Sequence, residues 1–173
     1  MNISNIVLVA TDVDGVLTDG RIFYDTDGSQ GKSFSIRDGI AFRMLKIAGL
    51  KSAIISGKTI SLLRERFSGI DVDLMFENVE NKLIVMEEIC RQESISMENV
   101  CYIGDDVGDI SVLKRVGFSV APSDAVEEVK NIVMYVTSKS SGQGVLRECV
   151  EIILRGQNKW EETLEKLLQS LQS

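Results

Sequence analysis

The chain has no histidine among its 173 residues, and this absence narrows the chemistry that it can perform. Catalytic triads and general bases that depend on an imidazole are excluded, so an acid–base step must use a carboxylate, a lysine, a tyrosine or a metal-bound water. Cysteine is scarce too: Cys90, Cys101 and Cys149 are odd in number and have no C-x-x-C spacing. This pattern argues against a cysteine metal site and against a disulfide framework, and it favours a reducing, cytoplasmic setting.

Long apolar runs and an excess of basic residues are missing as well. No apolar stretch reaches membrane-spanning length, and the N-terminus lacks the basic region and apolar core of a signal peptide. The net charge of −7 argues against a nucleic-acid partner, since such partners need a basic surface. We therefore expect neither a membrane nor a nucleic acid as partner, and a single domain over residues 1–173.

An apolar segment that ends in two carboxylates is the most informative pattern that is present. Residues 7–10 form the continuous apolar run of a strand buried on both faces, and Asp12 and Asp14 follow it. Ligands of open α/β sheets bind at the carboxyl ends of such strands. The two-residue spacing puts both carboxylates on one side, where their repulsion favours a cation such as Mg²⁺. Taken alone, the pattern is equally compatible with an ordinary turn.

Strand and helix patterns alternate along the rest of the chain. A hairpin is predicted at about 21–36, with strands at 21–24 and 32–36, and a helical tail is predicted at about 156–173. The other predicted strands are 51–55, 72–76 and 100–103, and short units continue to residues 132–136. The predicted helices are 39–48, 59–67, 80–93, 144–155 and 158–171. In the helix at 80–93, the apolar residues Leu83, Ile84, Met86 and Ile89 are expected to face inward. This alternation predicts an α/β fold with a doubly wound parallel sheet, a β-hairpin insertion after strand 1 and no cap domain.

Polar side chains follow three of the predicted strands, and the order of these residues along the chain is informative. The pairs are Asp12/Asp14, Ser56-Gly57 and Asp105/Asp106, with Lys82 opening the helix between the last two. Together with Asp109, they resemble the four signature motifs of the haloacid dehalogenase superfamily of phosphohydrolases. The stretches 12–20, 34–39, 104–109 and 142–148 look like the capless branch of that superfamily, the 3-deoxy-D-manno-octulosonate 8-phosphate phosphatase family.

The resemblance implies a role for each carboxylate of the first motif. Asp12 would attack phosphorus to form an aspartyl-phosphate, and Asp14 would protonate the leaving oxygen and later deprotonate water. The family pattern assigns Mg²⁺ to the Asp12 carboxylate, the Asp14 backbone carbonyl and the Asp105 carboxylate. Oxygen ligands of this kind suit Mg²⁺, which offsets the repulsion between the carboxylates and a phosphate.

The remaining motif residues are expected to bind the substrate or to support the site. Ser56 would hydrogen-bond a phosphoryl oxygen, and Lys82 would offset negative charge. Asp106 is a candidate for substrate binding. Asp109 has two open interpretations, a group behind the metal ligands and a helix N-cap.

The substrate is expected to be an acidic keto-sugar phosphate. The octulosonate phosphatases commonly carry Arg after the motif-two Gly57 and a second Arg eight residues later; here the positions hold Lys58 and Arg66. Lys58 keeps the charge but loses the bidentate geometry of Arg, and Gln143 also departs from the family pattern. The predicted substrate is 3-deoxy-D-manno-octulosonate 8-phosphate, with a nine-carbon, sialic-acid-type 9-phosphate as the alternative.

A site without a cap would be open in an isolated chain. The resemblance therefore implies a homo-oligomer, a tetramer assembled through the hairpin, in which a neighbour closes each site. Two functions from other classes remain as remote alternatives, a phospho-receiver domain and a catalytically silent regulatory subunit.

Overall fold

A six-stranded parallel sheet forms the centre of the computed structural model, which describes residues 3–59, 69–70 and 72–172. The strand order across the sheet is β5-β4-β1-β6-β7-β8. The strands are β1 Leu8–Thr11, β4 Lys51–Ile55, β5 Leu74–Phe76, β6 Val100–Ile103, β7 Phe118–Ala121 and β8 Tyr135–Val136. The chain moves from β1 toward one edge and then returns to place β6 on the other side of β1, so the topological switch point lies between β1 and β6.

Six described helices cover the two faces of the sheet. They are α1 Ile36–Ile47, α2 Lys82–Glu93, α3 Ile110–Leu113, α4 Glu127–Lys130, α5 Val145–Gly156 and α6 Trp160–Ser170. Side chains of β1 alternate between the two cores: Val9 packs with residues of α1, α5 and α6, whereas Leu8 and Ala10 pack with residues of α2, α3 and α4. The predicted doubly wound parallel sheet is confirmed, and the described residues contain no cap domain.

The hairpin is present but shorter than predicted. Its strands are β2 Phe23–Tyr24 and β3 Gln30–Gly31, which pair antiparallel. The second strand was predicted over 32–36, but Ser35 caps α1 by accepting a hydrogen bond from the Arg37 N–H. Because this cap starts the helix at Ile36, the prediction of a start at 39 is wrong.

Most other elements match their predicted positions, with differences at the ends. The strands 51–55 and 100–103 occur as predicted, and α2 begins two residues late because the Asn81 side chain caps it. Ile84 was predicted to face inward, but it is 62% exposed. The helix predicted at 59–67 lies outside the described residues, apart from residue 59. Within the described part of the chain, no helix is long and apolar enough to cross a membrane.

Candidate active site

The carboxyl ends of β1 and β6 bring the first and last motifs together. The two strands pair in parallel, and the Asp12 N–H continues the pairing by donating to the Ile103 carbonyl at 3.0 Å. Asp12 therefore leaves β1 beside the point where the chain leaves β6 toward Asp105. This is the switch point of the sheet, where the sequence places the site.

Lys82 connects this edge of the sheet to α2. Its ammonium group lies 2.5 Å from Asp12 Oδ2 and 2.7 Å from Asp109 Oδ1. Lys82 is the first residue of α2 and is only 8% exposed, so it is not a solvated surface lysine. The ammonium neutralises part of the charge of two carboxylates that the chain supplies 97 residues apart.

Asp109 lies behind the other carboxylates and does not cap a helix. Its Oδ1 accepts hydrogen bonds from Lys82 and from the Tyr102 hydroxyl at 2.8 Å, and its Oδ2 accepts from the Asp105 N–H at 3.1 Å. Its side chain makes no capping hydrogen bond to α3, so the N-cap interpretation is wrong. The exposed Asp106 fills a capping role one turn earlier, where its side chain accepts from the Val107 N–H.

Burial and the neighbouring charges shift the pKa values of the ionisable side chains in this cluster. Burial, followed by the charge of Asp109, raises the pKa of Asp12 to about 6. Burial, followed by Asp12 and Asp109, raises the pKa of Asp105 to about 8. Burial alone would lower the pKa of Lys82, but the Asp12 and Asp109 carboxylates raise it above its usual range. The cluster thus holds more negative charge than one lysine can balance.

The cluster fits a divalent cation with a preference for oxygen ligands. One carboxylate oxygen from each of Asp12, Asp105 and Asp109 lies within 4.8 Å of the others. The buried Asp105 Oδ1 has no hydrogen-bond partner among the described residues, as expected of a metal ligand. Gly15, at φ +83°, permits this approach, because a Cβ there would lie 1.9 Å from Asp105 Oδ2.

The side chain of Asp14 has a different set of partners from that of Asp12. Lys32, which follows β3 of the hairpin, places its ammonium 2.7 Å from both Asp14 carboxylate oxygens. The Thr18 hydroxyl lies 3.2 Å from Asp14 Oδ1. Sequence reasoning missed Lys32, Thr18 and Tyr102. Only Tyr102, a polar ring in a buried strand close to the motif Asp105-Asp106, carried a local signal.

The second motif lies at the carboxyl end of β4. Ser56 is 2% exposed, and its hydroxyl accepts a hydrogen bond from the Lys58 N–H at 3.1 Å. Backbone hydrogen bonds from Ser56 N–H to Phe76 and from Val79 N–H to Ser56 hold the turn. Gly57 and Lys58 are exposed. Arg66, the other predicted substrate-binding residue, lies outside the described part of the chain.

A separate cavity of about 720 Å³ lies between α1 and α5. Gln143 and Gly144 line it, together with Arg37 and Arg147, whereas none of the predicted catalytic carboxylates does. The departure at Gln143 therefore affects a different surface from the one that carries Asp12 and Asp105.

Comparison with protein families places these motifs in a known context. Residues 68–149 match the model for haloacid dehalogenase-like hydrolases. The chain is 38% identical over 173 residues to the 3-deoxy-D-manno-octulosonate 8-phosphate phosphatase of Haemophilus influenzae, covering 99% of this chain and 96% of the relative. It is 36% identical over 158 residues to the enzyme of the same name from Escherichia coli K12, covering 91% of this chain and 84% of the relative.

Solved structures show the same similarity. The phosphatase of Moraxella catarrhalis, crystallised with magnesium, phosphate and a KDO molecule, has a TM-score of 0.91 at 30% identity, covering 95% of this chain and 94% of that one. The cobalt-bound phosphatase of H. influenzae has a TM-score of 0.87 at 38% identity, covering 92% of this chain and 94% of that one.

Proposed function

Because this chain belongs to the 3-deoxy-D-manno-octulosonate 8-phosphate phosphatase family of haloacid dehalogenase-like hydrolases, we propose that it is an Mg²⁺-dependent phosphomonoesterase acting on 3-deoxy-D-manno-octulosonate 8-phosphate. The observation that carries this proposal is the cluster of Asp12, Lys82, Asp105 and Asp109, of which Lys82 and Asp109 are buried, at the switch point of the sheet. The products would be phosphate and the free sugar acid, which would be a precursor for lipopolysaccharide synthesis in the cytoplasm.

The first half of the reaction uses both carboxylates of the first motif. An Asp12 carboxylate oxygen attacks phosphorus, the bond from phosphorus to the sugar oxygen breaks, and Asp14 gives its proton to that oxygen. In the second half, Asp14 takes a proton from water while the water oxygen attacks phosphorus and releases the Asp12 carboxylate. Asp14 therefore ends the cycle protonated, as it began, with a proton that comes from the water.

Charge balance would come from Lys82 and from a bound cation. We propose that the Asp12 and Asp105 carboxylates and the Asp14 backbone carbonyl hold Mg²⁺, which offsets the negative charge of the carboxylates and the phosphate. Lys82 would keep the Asp12 carboxylate ionised and oriented, since its ammonium donates a hydrogen bond to Asp12 Oδ2 at 2.5 Å. Asp109 would act by holding Lys82.

The second motif would bind the transferred group and the sugar. Ser56 would donate its hydroxyl proton to a phosphoryl oxygen, because that hydroxyl already accepts from Lys58 N–H and keeps its own hydrogen free for a ligand. The exposed Lys58, together with Gly57, Arg66 and Asp106, would contact the sugar acid. Lys58 keeps the positive charge of the Arg that octulosonate phosphatases commonly carry at this position, which favours the eight-carbon substrate.

The hairpin would bury its apolar side chains against other copies of the chain. Phe23 is 53% and Tyr24 is 69% exposed, which is unusual for aromatic side chains without a partner. We propose that the single domain, residues 1–173, assembles as a homotetramer through this hairpin and that a neighbour covers each site. Exclusion of water from the site would then depend on assembly.

Phosphate release from a substrate panel tests the proposal. The panel holds the eight-carbon and nine-carbon acid-sugar phosphates and neutral hexose phosphates, each with Mg²⁺ and with EDTA. We expect Mg²⁺-dependent turnover with the highest kcat/KM for the eight-carbon acid. A preference for the nine-carbon acid would keep the chemistry and change the substrate, whereas no phosphate release from any ester would contradict the proposed function.

A further inference from the structure

Lys32 is a charged side chain of the hairpin that reaches into the site. Its ammonium lies 2.7 Å from Asp14 Oδ1 and 2.7 Å from Oδ2. The side chain of Lys32 is 13% exposed and that of Asp14 is 35% exposed, so the lysine is the more buried partner. A lysine in a solvated surface pair would be the more exposed one, and such pairs contribute little.

Each carboxylate of the first motif therefore has its own ammonium group. Lys82 from α2 contacts Asp12, and Lys32 from the hairpin contacts Asp14. The two acids lie two residues apart in the chain, whereas the two lysines lie 50 residues apart and belong to different elements. This arrangement holds the proposed nucleophile and the proposed acid in separate orientations.

The hydrogen bonds of Thr18 restrict Asp14 further. The Thr18 hydroxyl oxygen accepts from the N–H groups of Gly15 and Gly20, at 3.4 and 3.2 Å, so its own hydrogen is available for Asp14 Oδ1. Lys32 and Thr18 are then both donors toward Oδ1. Among the described residues Oδ2 faces Lys32 alone, so Oδ2 is the Asp14 oxygen with room for a further hydrogen bond to a substrate.

We propose that Lys32 is a positioning residue for proton transfer by Asp14, an inference that rests on the proposed phosphatase function. Lys32 exchanges no proton with the substrate. It holds the Asp14 carboxylate in the plane that directs Oδ2 toward the leaving oxygen while phosphorus passes to Asp12. The hairpin thereby becomes part of the active site of its own chain, in addition to its role at the surface.

The dependence of kcat/KM on the leaving group distinguishes this role from a structural one. For an aspartyl-phosphate mechanism, kcat/KM reports the steps up to formation of the intermediate, in which Asp14 protonates the leaving oxygen. An alkyl alcohol needs that proton, whereas 4-nitrophenolate leaves without it. We expect Lys32→Met to lower kcat/KM for ethyl phosphate about 100-fold, within the range of general acid catalysis, and for 4-nitrophenyl phosphate less than about 5-fold.

Simple esters are the right substrates because they carry no carboxylate for Lys32 to bind. Lys32→Arg, which restores two donors to Asp14, should recover most of the loss on ethyl phosphate. Lys114→Met removes an exposed lysine of another surface and is the matched control, with both esters unaffected. All variants are assayed as full chains with saturating Mg²⁺, and circular dichroism compares their folding. If Lys32→Met fails to fold, Lys32→Gln takes its place.

Three outcomes would overturn the inference. Equal losses on both esters would assign Lys32 a structural role only. A loss confined to the acid-sugar phosphate, seen as a higher KM, would make Lys32 a contact for the sugar carboxylate. A wild-type chain without activity on any ester would contradict the proposed function and this inference with it, whereas the first two outcomes leave the proposed function intact.

Discussion

The cluster at the carboxyl ends of β1 and β6 and the hairpin after β1 depart from ordinary burial in opposite directions. In the cluster, charged side chains are buried: Lys82 is 8% and Asp109 is 1% exposed. In the hairpin, apolar side chains are exposed: Ile22 is 47% and Tyr24 is 69% exposed. Both regions follow β1, and only about ten residues of chain separate Asp12 from β2.

This difference in burial indicates which kind of binding partner would stabilise each region. The cluster sets three carboxylates against the ammonium of Lys82, so a cation of small radius would stabilise it. The hairpin lacks an apolar surface to pack against, so a second protein chain would stabilise it. Lys32 joins the two regions through its contact with Asp14. The following experiments separate their contributions.

Asp12→Asn should have the largest effect, because it removes the proposed nucleophile from the cluster. We expect kcat to fall by about 10⁴-fold or more, as for other nucleophile substitutions. The melting temperature should not fall, since a neutral amide relieves repulsion from Asp109. Phosphate release and thermal unfolding measure the two effects. Turnover within tenfold of the wild type would rule out the aspartyl-phosphate mechanism.

Charges in the hairpin should separate assembly from chemistry. We expect the double variant Phe23→Asp, Tyr24→Asp to be monomeric by light scattering, because buried unpaired charges at an interface are costly. Its kcat/KM should fall about tenfold or more, since water would enter the open site. Met134→Asp, at an exposed apolar residue before β8, is the matched control. A wild-type chain that is itself monomeric would contradict the proposed assembly.

Lys58→Glu should have a smaller and more selective effect. Reversal of this charge should lower kcat/KM for the eight-carbon acid phosphate about tenfold, which corresponds to about 1.4 kcal/mol. The neutral ester 4-nitrophenyl phosphate should change little, because it has no carboxylate. Lys58→Arg, which restores the common residue of the octulosonate phosphatases, should match or exceed the wild type. Equal losses on both substrates for Lys58→Glu would show that Lys58 does not contact the sugar carboxylate.

The pH dependence of stability should report the raised pKa values of the cluster carboxylates. Because the folded state raises the pKa of Asp105 to about 8 from an ordinary 3.8, it keeps protons that the unfolded chain releases. The contribution of Asp105 to stability is therefore fully present below about pH 4 and is lost as the pH rises toward 8.

Thermal unfolding in EDTA at pH 5.5 and pH 8.5 checks this sign. We expect a lower melting temperature at pH 8.5, by about 3 °C, which is about 1 kcal/mol for a chain of this size. Mg²⁺ should raise the melting temperature more at pH 8.5 than at pH 5.5, because the ionised carboxylates bind it better. Asp105→Asn should show a weaker pH dependence. An equal dependence in this variant would contradict the assignment to Asp105.

Several parts of the site could be predicted because their signals are local. The apolar strand before Asp12 and the motif at Asp105 identify two strand ends, and the alternation of elements predicts that both ends share one edge of the sheet. The same local reasoning predicted Ser56 at the end of β4. It was wrong for Ile84, because this residue lies on the opposite side of α2 from the buried Met86 and Ile89.

Other parts could not be predicted because their partners are distant in the sequence. Lys32 lies 18 residues from Asp14, in a hairpin whose strands are too short to fix its direction from a pattern. The N-cap interpretation of Asp109 failed because Lys82 and Tyr102 offer its carboxylate stronger buried donors than the exposed turn of a four-residue helix does.

The sequence by itself determined the class of fold and the types of chemical group at the strand ends, since both depend on short-range periodicity and on the side chains themselves. The tertiary structure decided which ammonium pairs with which carboxylate: Lys82 forms an ion pair with Asp12, and Lys32 forms one with Asp14. The physical reason is the range of the interactions. Strand and helix patterns arise over a few residues, whereas an ion pair requires two side chains within about 4 Å, and only the packing of separate elements determines that distance.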